Sequence, residues 1–168
     1  MAYSDNFLHA DEVVYHLNGV VPNISDSTLR GKYVGFIAVA SVTVYELAIR
    51  DIFIEFSRKK HRVFGHYIEE EFRRINGRIM LNDIKKRYLT KFGDRYLKRF
   101  QRKVEEKSRS YLKRSRRDFR SAYGNIIVWR NQFAHEGRII STATYQEAVQ
   151  SYEDGKEVIH CLASSMHR

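Results

Sequence analysis

An all-α bundle carrying a basic helical insertion is the architecture this sequence predicts, and three observations predict it. The 168 residues include one Pro and 9 Gly, so little interrupts long helices and a loop-rich sandwich is disfavoured. Apolar residues recur at three- and four-residue spacing through several long stretches. Charge is concentrated in the middle: residues 58–120 hold 23 of the 30 basic residues and 8 acidic ones, a net of +15. The other 105 residues hold 7 basic and 12 acidic, a net of −5. With 43% hydrophobic residues the chain can build a core, and its length suits one domain rather than two.

The N-terminal segment MAYSDNFLHADE is acidic where a secretory signal would be basic. The first long helix follows Ser25, Asp26 and Ser27, which offer N-cap oxygens. Its stripe runs Val34, Ile37, Ala38, Ser41, Tyr45, Ala48, Ile49, Ile52, Phe53 and Phe56, widened by Val39, Val42 and Val44. A helix apolar over so much of its circumference is central. The β-branched run 39–44 also fits a strand, but its flanks carry the helical period. The apolar run Tyr33–Tyr45 is too short to span a bilayer.

The middle segment predicts shorter amphipathic helices near 63–76, 80–91 and 94–116, broken at Asn76-Gly77 and Phe92-Gly93. Tyr88, Phe92, Tyr96, Leu97, Phe100, Val104, Tyr111 and Leu112 form its apolar edge. A further helix spans about 118–134 through Phe119, Ala122, Tyr123, Ile126, Ile127 and Phe133, and Gly137 stops it. The last opens at Thr144-Tyr145-Gln146-Glu147, a capping-box pattern, and continues through Val149, Tyr152, Val158, Ile159 and Leu162.

Charge and composition also bound the chemistry. Nineteen of the basic residues are Arg, whose planar donor fork suits phosphate, so a polyanion is the default partner, with nucleic acid ahead of a membrane surface. The single Cys161 excludes a disulfide scaffold and fits a reducing, cytoplasmic setting. There is no Gly-rich phosphate loop, His-Glu-x-x-His pair or paired-cysteine metal site. His61 and His66, five apart, do not share a helix face, so no metal is expected there. The densest basic points are Lys85, Lys86 and Arg87, and Lys113, Arg114, Arg116 and Arg117. Tyr88, Tyr96 and Tyr111 are interleaved, either stacking on bases or packing in the core.

One segment, Asn125 to Gly137, carries the candidate chemistry. Arg-x4-His is weak as a bare pattern, since 19 Arg and 7 His make roughly one such spacing by accident. Arg130, however, falls on the stripe of Tyr123, Ile126, Ile127 and Phe133, where an unpaired charge is costly. It either pairs with a carboxylate to hold helices together or serves a site. Asn131 and His135, four apart, share a face. Arg130 and His135 lie about 140° apart on a straight helix. By that reading they do not converge unless the helix ends before His135 or a second chain supplies partner groups.

The run Arg130-Asn131-x-x-x-His135 before Gly137 resembles the Arg-x4–6-His signature of the HEPN superfamily, and the polar residue after the Arg resembles its ribonuclease members. The helix Gly35–Arg50, with its embedded Glu46, is similar to the first core helix of that superfamily. The resemblance covers about 25–60 and 119–165, leaving about 61–118 as a basic helical insertion in a single HEPN-like domain. It implies a bundle of about four core helices, a two-fold homodimer with facing motifs, and metal-independent RNA cleavage with no cofactor. The ribose 2′-OH attacks its own phosphodiester, leaving 2′,3′-cyclic phosphate and 5′-OH ends. In that scheme His135 moves protons, because imidazole exchanges them near neutral pH. Arg130 clamps the phosphate, and Asn131 orients His135 or donates to a phosphate oxygen. Glu46 pairs either with Arg50, four residues on, or with Arg130 or His135. The role implied is a toxin–antitoxin or antiviral-defence effector. Its restraint would come from a nucleotidyltransferase-like antitoxin that modifies a residue near the motif, with Tyr123 and Tyr145 as candidates. A non-catalytic HEPN-like module that binds RNA, a nucleotide or a protein is the competing reading, against which the intact Arg130, Asn131 and His135 count. A basic DNA-binding protein is the third, unsupported by any recognition-helix or zipper pattern.

Overall fold

The computed structural model describes residues 2–73, 75 and 77–167, and every regular element among them is helical. Helices α1 (Ala2–Asp5) and α2 (Phe7–Val20) lead through a 3₁₀ turn at Val21–Asn23 to α3 (Ser27–Arg58). Next come α4 (Arg62–Glu71) and α5 (Leu81–Asp83), the latter continuing into a π turn (Ile84–Tyr88) and a 3₁₀ turn (Leu89–Phe92). The chain then runs through α6 (Asp94–Ser115), α7 (Phe119–Glu136) and α8 (Tyr145–Met166).

Three of these, α3, α7 and α8, pack mutually as the centre of the molecule, with α2 and α4 against α3 and α6 against α8. Asp26 caps α3 by accepting from the backbone N–H groups of Thr28 and Leu29, at 2.7 and 3.2 Å. The expected apolar stripe of α3 is buried from Val34 to Phe53. The strand alternative for 39–44 is settled as helix. At the centre the Tyr45 ring stacks between Tyr123 and Tyr152 and donates its hydroxyl to the Tyr152 carbonyl at 2.6 Å. Glycines set how closely the helices approach: a Cβ at Gly35 would lie inside the Phe133 ring of α7.

The ends expected at Gly137 and Thr144 are where the structure puts them. Gly137 adopts φ +63° and lets Arg138 N–H close on the Gln132 carbonyl, while Thr144 and Glu147 form a reciprocal capping box.

The 63–76 helix is shorter than expected, because α4 ends at Glu71. Arg74 and Asn76 of that stretch lie outside the described residues. The piece at 80–91 is mostly π and 3₁₀ turns rather than α-helix. Helix α2 adds to the elements expected from the sequence: Phe7, Ala10, Val14 and Leu17 carry helical spacing inside the acidic N-terminal stretch and pack toward the core.

The interleaved tyrosines of the basic segment pack on the core, with Tyr88 and Tyr111 buried and Tyr96 half-buried, rather than standing out as stacking platforms. Phe53 stacks on Phe92 at 4.9 Å between centroids, Phe72 packs on Tyr88, Phe56 on Tyr96, and Tyr111 on Phe119. Burying these rings supplies the stabilisation that holds a strongly basic stretch onto the bundle.

Candidate active site

Arg130 leaves α7 on the side that faces α3. Tyr123, Ile126 and Ile127 bury the earlier turns of that side, and the side chain of Arg130 keeps only 20% of its exposure. Its guanidinium meets three groups. Nη1 donates to Asn131 Oδ1 at 3.0 Å and to His135 Nε2 at 2.9 Å, and Nη2 lies 3.9 Å from Glu46 Oε1 on α3. Arg130, Asn131, His135 and Glu46 are therefore one cluster within a single chain.

This corrects the angular expectation. Helix α7 runs unbroken through His135 to Glu136, yet Arg130 and His135 meet. The 140° between their Cα directions is spanned because the arginine side chain is long enough to curl around the helix toward the Asn131–His135 face. No early helix end and no second chain is needed for the contact itself.

A guanidinium has only donors, so a hydrogen bond at this contact is accepted by His135 Nε2 and takes the Nδ1–H tautomer.

Glu46 pairs with Arg130, not with the Arg50 one turn along. Arg50 Nε lies 3.5 Å from Asp51 instead. Burial pushes the Glu46 carboxyl above the usual range, opposed by the Gly77 backbone N–H donated to it and by the Arg130 charge. Among the described residues its buried Oε1 has no hydrogen-bond partner. Gly77, at φ +74°, approaches so closely that a Cβ there would lie 2.8 Å from Arg130 Nη1. Sequence reading treated this glycine only as a helix break; its conformation was legible, its neighbour was not.

A small cleft of about 140 Å³ opens beside Glu46, lined by Thr43, Leu47, Arg50, Phe72, Arg73 and Ile75. A larger cavity, about 720 Å³, lies elsewhere, between Arg30, Val34, Ile140 and Tyr145, where Asp26 and Thr144 already cap the bordering helices. Among the described residues no three His, Cys, Asp or Glu side chains are grouped to hold a metal ion.

A family model described as RiboL-PSP-HEPN matches residues 5–167. The chain belongs to that family. No curated protein and no solved structure matches it. The RiboL-PSP-HEPN match runs through the basic stretch as well as the two segments that carried the sequence resemblance. The all-helical architecture is that of a HEPN-like bundle, and no described helix is long and apolar enough to cross a membrane.

The two basic clusters of this HEPN chain stand differently toward the site. Lys85, Lys86 and Arg87 occupy the π turn, whose Tyr88 hydroxyl donates to the Arg78 carbonyl at 2.8 Å, one residue beyond Gly77. Lys113, Arg114, Arg116 and Arg117 lie at the end of α6, just before α7 begins, so about 17 Å of helix separates them from Arg130. Arg114 sits over the Tyr111 ring. Arg117 is engaged with Asp154 through two bonds of 2.8 and 3.2 Å, which ties it to the fold.

Tyr123 and Tyr145 do not fit the accessible modification site expected of them. Tyr123 is fully buried and donates to the Ile79 carbonyl at 2.7 Å, and Tyr145 is 4% exposed with its hydroxyl on Asn18.

Proposed function

We propose that this protein is a metal-independent HEPN endoribonuclease, and the observation that carries the reading is the Arg130–His135–Glu46 cluster. A phosphate oxygen competes for the Arg130 donors and draws Nη1 off His135. That frees Nε2 to take the 2′-OH proton as O2′ bonds to phosphorus, and the departing O5′ takes a proton from an acid on the opposite side. Arg130 offsets the charge that builds on the equatorial oxygens. Asn131, exposed beside His135, holds the guanidinium or a phosphate oxygen.

In-line displacement needs base and acid on opposite sides of phosphorus, and one imidazole does not reach both. The reading therefore includes a homodimer in which the His135 of a second copy is the acid. The α3 stripe Leu29, Tyr33, Phe36, Ala40, Thr43 and Leu47, exposed at Leu29, Phe36 and Thr43 and half-buried at the other three, runs at alternating four- and three-residue spacing beside Glu46 and supports that pairing. The biological role that accompanies such chemistry is a toxin or antiviral-defence effector restrained by a partner.

The test is cleavage of a mixed single-stranded RNA in EDTA by the purified protein, beside His135→Ala and Arg130→Ala. Cutting by the unsubstituted chain alone, with 2′,3′-cyclic phosphate ends, is the expected result. Equal cutting by all three assigns the activity elsewhere. Binding without cutting installs the non-catalytic RNA-binding reading.

A further inference from the structure

We propose that the turn 77–80 is a wall of the substrate cleft. In it Arg78 binds the RNA phosphate next to the one held by Arg130, and Gly77 is a positioning residue for Arg130. The substrate class rests on the ribonuclease reading; the placement rests on the turn itself.

That turn is built from both sides. Its backbone carbonyls are held by two tyrosine hydroxyls, Tyr88 on Arg78 at 2.8 Å and Tyr123 on Ile79 at 2.7 Å. Ile79 is fully buried as its anchor, and Ile75 on the near side lines the cleft beside Glu46. Gly77 gives its N–H to Glu46 and has its Cα against the Arg130 guanidinium. A turn this firmly fixed projects Arg78 outward with its Cα within about 8 Å of Arg130 Nη1, since neighbouring Cα atoms are about 3.8 Å apart. A long side chain rooted that close to the Arg130 guanidinium has the reach to meet the neighbouring phosphate of the same strand.

Among the described arginines bordering the site, Arg78 is one left for a ligand. Arg50 is paired with Asp51, Arg73 with Glu70 and Arg138 with Glu136. Arg78 is exposed and has no acidic partner among the described residues. The π turn behind it adds Lys85, Lys86 and Arg87, so the cation track continues away from the cleft on the same support.

Gly77 has a separate role. Any side chain there would displace the guanidinium from the Glu46–His135 position, and its φ of +74° favours glycine besides.

Binding is measured in the His135→Ala background, where RNA stays whole, using a mixed single-stranded RNA over 50 to 200 mM KCl. Arg78→Gln should weaken binding roughly three- to tenfold and flatten the slope of log K against log salt by about 0.7, the loss of one phosphate contact on a single strand. Arg102→Gln, the same charge change at a surface pair on α6, should leave both unchanged. In the cleaving protein Arg78→Gln should raise KM and spare kcat, while Gly77→Ala should lower kcat about tenfold or more. An unaltered salt slope in Arg78→Gln, or an equal change in Arg102→Gln, overturns the Arg78 assignment. Unchanged kcat in Gly77→Ala overturns the positioning role. If no RNA is cut by any version yet Arg78→Gln still loses its contact, the wall stands and the ribonuclease reading falls.

Discussion

Two arginine–carboxylate pairs sit near opposite ends of α7, and they are built differently. Asp154, 3% exposed, accepts from the Tyr111 hydroxyl, the Gln150 amide and both arms of Arg117, all between 2.7 and 3.2 Å. Glu46 faces Arg130 at 3.9 Å, with one oxygen lacking a hydrogen-bond partner among the described residues. A buried carboxylate with both oxygens hydrogen-bonded holds helices together. One left short of donors, beside a histidine lone pair, stores interactions that a ligand can complete. The first pair ties α6 and the α6–α7 connection to α8; the second sets Arg130 beside a carboxylate that lines a cleft.

The comparison breaks most visibly through Arg130. Arg130→Ala should cut RNA cleavage by about 10²–10³-fold while leaving the melting temperature close to that of the unsubstituted protein. A loss of stability as large as the loss of activity would make this pair structural like the other. Asp154→Ala should do the reverse. It strands the Tyr111, Gln150 and Arg117 donors and should cost about 3 kcal/mol in urea unfolding, with per-molecule cleavage kept wherever the protein is folded. Arg117→Ala should cost less, about 1 kcal/mol, because its guanidinium is half exposed and Asp154 retains its other donors.

The pH dependence separates the pairs more gently. Burial raises the Glu46 pKa above its ordinary 4.5, so at pH values between the ordinary and the raised pKa the folded state holds a proton there that the unfolded state has released. Its stabilising share is whole below the ordinary value and disappears as pH rises through the raised one. Glu46→Gln should therefore raise the melting temperature at pH 7, and the gain should vanish as pH falls below 4.5. A gain that persists in acid would trace to packing rather than to charge.

The smallest effect tests the two basic clusters. Replacing Lys85, Lys86 and Arg87 by Ser should flatten the salt dependence of RNA binding by about 2. The same treatment of Lys113, Arg114 and Arg116, one helix-length from the site, should change it less. Equal slopes would mean that the RNA path covers both ends of α7.

Much of this architecture was legible in the linear order of residues. The three- and four-residue spacing of Val34 to Phe53 dictates a buried helix, because only one side of a 3.6-residue period can face a core. Asp26, Thr144 with Glu147, and Gly137 mark helix ends through local hydrogen bonds and a positive φ, which need no distant partner. Arg130, Asn131 and His135 were likewise visible, since their chemistry is carried by residue type and spacing. Contacts between segments far apart in the chain were not. That Arg130 curls round α7 to His135, that Glu46 turns to Arg130 rather than Arg50, and that Gly77 closes over both depend on how α3, α7 and the 77–80 turn pack. Tyr88, Tyr96 and Tyr111 of the basic stretch follow the same logic: their spacing allowed stacking platforms or core, and only the packing of Phe53, Phe56, Phe72 and Phe119 against them set them on the core.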